Sequence, residues 1–327
     1  MKLGITIGNF GQFGKAGDAA DQVRVAVAAE QLGFDSVWVH DHIVMPAEID
    51  SRYPYNESGV AGFAWRQEIY DPLAMLGAVA AATQRVEIGT SVLIVPYRNP
   101  LVLAKMLATI DQIAQGRLRL GVGVGWMREE FEALGIGDWY PVRGRVTDEW
   151  LAICKTLWSS DGPVSFSGRF ASFEAAGFRP QPVRGHIPLW VGGWGEVAAR
   201  RVARLGDGYQ TITSTPVMVA EQVQRVGAEL ERRGRTLAEI EVSMLAGIRL
   251  GGDLQPGVPV SGTADQVIGR LREYEAAGLH HLIAMPIRAG AGRPTPDGVI
   301  EEMRKLAETV LPAVQGGAEA RASRQNR

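Results

Sequence analysis

The chain of 327 residues is 46% hydrophobic and 21% charged, and its 34 Lys and Arg against 36 Asp and Glu leave a net charge of −2. That composition supports one large core or two modest ones, and near-neutral charge without a long basic run argues against nucleic-acid or anionic-membrane partners. A single cysteine, Cys154, excludes an internal disulfide framework and a Cys-based zinc site. No segment has the apolar length of a signal peptide or a membrane span, so a cytoplasmic location is the expectation.

In chain order, a β-rich run at 3–7 leads to a helical pattern at 19–32, and a strand at 36–39 runs into a long segment, 43–69, rich in Tyr, Pro, Ser and Gly. Helix 72–83, strand 86–90, helix 100–114, strand 118–122 and helix 145–158 follow. A second long segment, 159–187, carries Gly162-Pro163 with Phe166, Phe170, Phe173 and Phe178. The remainder reads as strand 188–191, helix 196–205, strand 208–211, helix 217–233, strand 241–250, a loop at 251–262, helix 264–277, strand 281–284 and helix 297–310. Strand and helix thus alternate eight times, the pattern of a parallel sheet covered by helices. A closed (β/α)8 TIM barrel needs about 250 residues, so this α/β chain reads as such a barrel with insertions after strands two and four. One domain over 1–315 and a disordered tail over 316–327 are expected. Long loops inside a compact domain are usually lids or binding loops.

Four stretches have chemistry. The second strand ends in Trp38-Val39-His40-Asp41-His42, where side chains two apart share a face, so His40 and His42 can converge while Asp41 turns away. The pair suits proton exchange near neutral pH. A barrel metallohydrolase is the remote alternative, but His186, His280 and His281 sit at the wrong ends of their strands to complete a metal set. A structural Asp and His cap is the plain reading. The run Gly121-Val-Gly-Val-Gly125 misses the dinucleotide fingerprint, because Trp126 and Arg128 stand where the third glycine belongs. Its glycines, Gly123 among them, allow close packing or the approach of a flat ligand.

Val191-Gly-Gly-Trp-Gly-Glu196 lies between a strand and a helix N-terminus, where free amides and the helix dipole favour a phosphate. A tight turn without a ligand is the equal alternative. Residues 89–100 are β-branched and small, and Pro100 suits a helix start. Arg98 there is either an anion anchor or an ion-pair partner. Phe10, Trp38, Phe63, Trp126 and Trp194 could wall a planar ring or simply pack.

Together, Gly33-Phe-Asp-Ser-Val-Trp-Val-His-Asp-His42, Ile88-Gly-Thr-Ser-Val-Leu93 with Arg98-Asn-Pro100, Arg117-Leu-Arg-Leu-Gly-Val-Gly-Val-Gly125, and Pro188-Leu-Trp-Val-Gly-Gly193 leading to Arg204-Leu-Gly-Asp-Gly208 resemble one family. It is the bacterial luciferase-like oxidoreductases, in particular their coenzyme F420 branch. The resemblance implies a flavin or deazaflavin at the C-terminal mouth of the barrel, with Asp41 and His42 beside the ring. It implies a bulge with a non-prolyl cis peptide within Thr90-Ser91-Val92 behind that ring. The turn Gly192-Gly193-Trp194-Gly195 would take the cofactor phosphate, and Phe10, Trp126 and the loop after strand two would line the substrate pocket.

F420-dependent glucose-6-phosphate dehydrogenases carry a glutamate where this chain has Trp126, which argues against a sugar phosphate. Alkanesulfonate monooxygenases use an active-site cysteine, whereas Cys154 lies at helical spacing among Leu151, Ile153 and Leu157. The expected function is hydride transfer between F420 and a small organic substrate, with His42 and then His40 as proton partner. Reduced-FMN monooxygenation is the alternative, and the resemblance adds a homodimer as one possible assembly, since dimers are common in that family, while the oligomeric state stays open.

Overall fold

A computed structural model of the chain describes residues 1–8, 19–62, 65–212, 214–287 and 295–316. Phe10, Phe63 and the tail from 317 onward lie outside them. The strands form where short apolar runs are buried on both faces: β1 (Lys2–Thr6), β2 (Ser36–Val39), β3 (Glu87–Ile94) and β4 (Leu118–Gly123). A hairpin, β5 (Val164–Ser167) with β6 (Ser172–Ala176), follows. Then come β7 (Leu189–Gly192), β8 (Gly208–Ile212), β9 (Glu241–Leu250), β10 (Val260–Gly262) and β11 (His281–Pro286). Around the ring the order is β1, β2, β3, β4, β7, β8, β9, β11 and back to β1, every pairing parallel. The (β/α)8 barrel is closed, and β10 extends it by pairing with the far end of β9.

The helices are α1 (Ala19–Leu32), α2 (Pro72–Ala82), α3 (Pro100–Ile113), α4 (Arg128–Ala133), α5 (Arg143–Ser159), α6 (Gly195–Leu205), α7 (Pro216–Glu231), α8 (Ala264–Ala276), α9 (Pro296–Thr309) and α10 (Leu311–Val314). Four start on one device: Asp71, Asn99, Thr215 and Thr295 accept hydrogen bonds from first-turn amides, and the next residue is proline. The cap supplies an acceptor for an orphan N–H, and proline gives up an N–H that the helix would not use. Each device therefore fixes where a helix leaves the barrel mouth. Among the described residues no helix is long and apolar enough to cross a membrane.

Inside the barrel, Trp38 and Trp190 stack at 5.0 Å, and His281 stands edge-on to both. Below them Ser36 Oγ bonds His281 Nε2 at 2.7 Å and accepts from Trp38 Nε1 at 2.6 Å. The N-terminal end is closed by charge: Lys2 meets Glu87 at 3.4 Å and Glu241 at 3.1 Å, and Arg119 meets Glu87 at 2.8 Å. With that end plugged, the C-terminal end is the open one.

The second long segment, 159–187, is not the lid expected of a long loop. It follows α5, the helix after β4, and so starts from the end of the barrel opposite the mouth. The hairpin climbs the outside of α5, where Glu149 accepts from the N–H groups of Arg169, Phe170 and Ala171. Phe166, Phe170 and Phe173 pack against the main core, and Phe178 is part of it. These aromatics cover a helix, whereas the segment after β2, the segment with α4 after β4 and the loop holding β10 leave the mouth side. Cys154 is fully buried in the same core, as its helical spacing predicts.

Candidate functional site

The β2 strand stops at Val39, so His40, Asp41 and His42 lie just past it, at the mouth. Each is held by a different element. His40 Nδ1 donates to the Ser91 carbonyl at 2.7 Å, and burial lowers the pKa of this ring, which favours the neutral form. Asp41 turns away from both histidines. Its carboxylate, with no exposure, is gripped by Arg98 at 2.7 and 3.0 Å and by the Ile94 N–H at 2.8 Å. Arg98 also holds Asp71, the cap of α2, at 2.8 Å. Burial opposes the Arg98 charge, but Asp41 and then Asp71 outweigh it and raise its pKa further. Arg98 is thus an ion-pair partner, buried in the wall.

His42 has a partner that sequence reading missed. Its Nδ1 lies 2.6 Å from Oε2 of Glu130, a fully buried residue in the first turn of α4. The same oxygen accepts from the Tyr97 hydroxyl at 2.8 Å, and Oε1 accepts from the N–H groups of Ile43 at 2.7 Å and Val44 at 3.3 Å. Burial, then the adjacent Glu130, push the Tyr97 hydroxyl far above its ordinary pKa, so it stays protonated and donates. Glu130 is surrounded by donors, and His42 fits that set only by carrying its proton on Nδ1. Nε2 is then the ring nitrogen turned away from the carboxylate, the arrangement of a His oriented by a carboxylate for proton transfer. The helix α4 was missed because its six residues, Arg128–Ala133, are mostly charged and show no apolar period. The signal that could have found it is the acidic pair Glu129-Glu130, since acids favour a helix's first turn.

Opposite, the Ser91–Val92 peptide is cis and the β3–β4 register shifts between Thr90 and Leu93, so the expected bulge is present. Thr90 Oγ1 donates to the Gly121 carbonyl and is not open to the mouth. A Cβ on Gly123 would come within 2.5 Å of Val92, and one on Gly192 within 3.0 Å. These two glycines therefore make room for the valine of the bulge. Gly193, with φ +130°, and Trp194 are exposed at the turn into α6. The Gly195 N–H and carbonyl are both engaged by the Gln222 amide, at 3.2 and 3.1 Å, which pins the start of the helix.

Trp126 lies edge-on to His42 at 6.4 Å and to Tyr53 at 5.2 Å, joining the loop after β2 to the site. That loop is anchored by Glu129, which accepts from the Asp50 and Ser51 N–H groups, both at 2.8 Å. Residues from four strand ends thus converge on the mouth. Among the described residues no three His, Cys, Asp or Glu side chains form a metal-binding group.

Known proteins resemble this chain in sequence and in fold. Residues 1–255 match the family model described as luciferase-like monooxygenase. An uncharacterized protein of Mycobacterium tuberculosis is 30% identical over 248 residues, 76% of this chain and 84% of its own length. An F420-dependent glucose-6-phosphate dehydrogenase of Amycolatopsis mediterranei is 36% identical over 193 residues, 58% of this chain and 52% of that protein. Among solved structures, an F420-dependent secondary alcohol dehydrogenase in complex with an F420-acetone adduct aligns with a TM-score of 0.77 at 22% identity, over 96% of this chain and 99% of the other. The oxygenating constituent of a Pseudomonas putida diketocamphane monooxygenase, in complex with FMN, aligns at 0.74 and 17% identity, over 95% and 98%. The motifs around the mouth and the match across most of the chain agree, and the chain belongs to the luciferase-like monooxygenase family.

Proposed function

We propose that the protein is an oxidoreductase that moves a hydride between coenzyme F420 and a small organic substrate, with His42 exchanging the accompanying proton. The observation that carries this reading is the buried Glu130 that receives His42 Nδ1 and Tyr97 at one oxygen. A buried carboxylate aligning a mouth histidine is costly to maintain unless its orientation is used.

The residues present fit a planar phosphate-bearing cofactor. Thr90, Ser91, Val92 and Gly123 build the bulged wall for a flat ring, and Gly192, Gly193, Trp194 and Gly195 form the turn for its phosphate. Gln222 takes the Gly195 N–H, but the next first-turn amides of α6 lack intrahelical partners, and the positive helix end favours an anion there. When bound, F420 supplies hydride transfer alone, whereas reduced FMN also activates oxygen, which makes FMN-dependent monooxygenation the second reading. Relatives and structural neighbours named for both cofactors support keeping both. In either case the chain's residues position reactants and exclude water. His42 holds a proton-accepting nitrogen, Asp41 and Arg98 fix the strand end that carries it, and Trp126 with the loop after β2 bounds the substrate side. Trp126 favours an apolar substrate over a sugar phosphate.

A homodimer remains the proposed assembly. Val102, Met106 and Ile113 stand exposed on one face of α3, and a sedimentation mass near one chain would remove it. The functional test is a parallel fluorescence titration of the apo protein with F420 and with FMN. Tight F420 binding together with an about hundredfold or greater fall in turnover for His42→Ala, at unchanged affinity, supports the reading. Binding of FMN alone transfers it to the monooxygenase, and equal loss of binding in the variant makes His42 structural.

A further inference from the structure

Gln210, on β8, is 3% exposed, and both polar atoms of its carboxamide lack a hydrogen-bond partner among the described residues. A buried amide without partners costs the full desolvation of its donor and its acceptor, so it calls for a ligand or water. The side chain points into the barrel. Gly208, two residues earlier on the same face, faces the Trp190 ring, and a Cβ on Gly121 of β4 would lie 2.7 Å from Gln210 Oε1. That same Cβ would lie 2.0 Å from the Thr90 carbonyl, at the base of the bulge. The carboxamide therefore reaches past β7 to β4, beside the bulged wall and above the stacked tryptophans. No side chain of β4 answers it, because that strand presents glycine there.

We propose that Gln210 is the residue that reads the imide edge of the cofactor ring. One carboxamide donor and one acceptor, side by side, match the adjacent C=O and N–H that flavins and deazaflavins share in their pyrimidinedione ring. The inference rests on the reading that such a ring occupies the mouth. It adds a specificity device: a flat aromatic without that edge would leave the amide unpaired and be rejected, since a site built for a hydrogen bond penalises a ligand that cannot make it.

The test compares wild type with Gln210→Met, which keeps length and removes both polar atoms. Fluorescence titration with F420 and FMN gives affinity, thermal unfolding of the cofactor-free protein gives stability, and vibrational spectra of the bound ring report its carbonyl stretches. Expected are an about tenfold loss of affinity for whichever cofactor wild type binds, a carbonyl stretch shifted to higher frequency, and a melting temperature unchanged or raised. Unchanged affinity and unchanged stretches with a lowered melting temperature would assign Gln210 to buried water and overturn the inference while leaving the cofactor reading intact. Wild type that binds neither cofactor would overturn both.

Discussion

Replacing Glu130 with glutamine tests the proton chain most directly, because the change is almost isosteric and acts on hydrogens. The carboxylate accepts from four donors: His42 Nδ1, the Tyr97 hydroxyl, and the N–H groups of Ile43 and Val44. A glutamine must turn its NH2 toward one of these pairs. The backbone amides cannot become acceptors, so the NH2 faces His42 and Tyr97. Tyr97 can rotate its hydroxyl, and His42 can accept only by moving its proton from Nδ1 to Nε2. The substitution thus reverses the tautomer and removes the lone pair on which proton acceptance depends.

Losing the charge on buried hydrogen bonds costs about 1.5–3 kcal/mol of stability, tolerable for a folded barrel. Disabling a general base costs about 10²–10⁴ in turnover. The two effects are separable. Nitrogen-15 spectra of the His42 ring should show protonated Nδ1 in wild type and protonated Nε2 in Glu130→Gln, with cofactor affinity unchanged and turnover at least about a hundredfold lower. An unchanged tautomer, or a reversed tautomer with full turnover, would refute the argument.

Other expectations follow from the buried charges. Arg98→Met leaves the Asp41 carboxylate buried with one backbone N–H, so it should lose about 3–5 kcal/mol in a denaturant titration, whereas adding Asp41→Asn should recover part of that loss. Burial alone would raise Glu241, but His281 and then Lys2 outweigh it and hold it at about 2, below its ordinary 4.5. A depressed carboxyl contributes stability above pH 4.5 that is lost as pH falls through 2, at most about 3 kcal/mol for such a shift. The Glu241→Gln protein should lose less stability across that window, and equal acid sensitivity would place the linkage elsewhere. Burial pushes the Cys154 thiol up to about 12, so a disulfide reagent at pH 8 should label it only on unfolding. Rapid labelling of the native protein would contradict that placement.

The barrel was legible because most strands of the ring are apolar runs ended by glycine or a polar residue, and α2, α3, α7, α8 and α9 begin at Asp, Asn or Thr caps. The same local logic failed for α4, which is short and charged, and for the hairpin, whose glycines and serines read as loop. At the site, period-two alternation correctly turned Asp41 away from the histidines, although the strand itself ends at Val39. It could not find Glu130, 88 residues from His42, because no pattern in one sequence pairs two residues so far apart. Nor could spacing reveal that Gly123 and Gly192 serve Val92. A glycine records that space is needed, and the fold records what fills it.

One short helix holds both the loop after β2 and the His42 ring. Glu129 fastens the loop after β2 at Asp50 and Ser51, while Glu130 fastens its start at Ile43 and Val44 and sets the His42 proton. Burial alone would raise the Glu129 carboxyl, but its own N–H and then Ser51 and Asp50 outweigh it and hold it below its ordinary pKa. The two adjacent acids therefore divide the work. Loosening the loop through Glu129→Gln should raise KM for the organic substrate and spare the His42 tautomer, whereas Glu130→Gln should move the tautomer and kcat. If Glu129→Gln also reverses the tautomer, α4 acts as one unit, and the loop's closure and the proton's position are a single equilibrium.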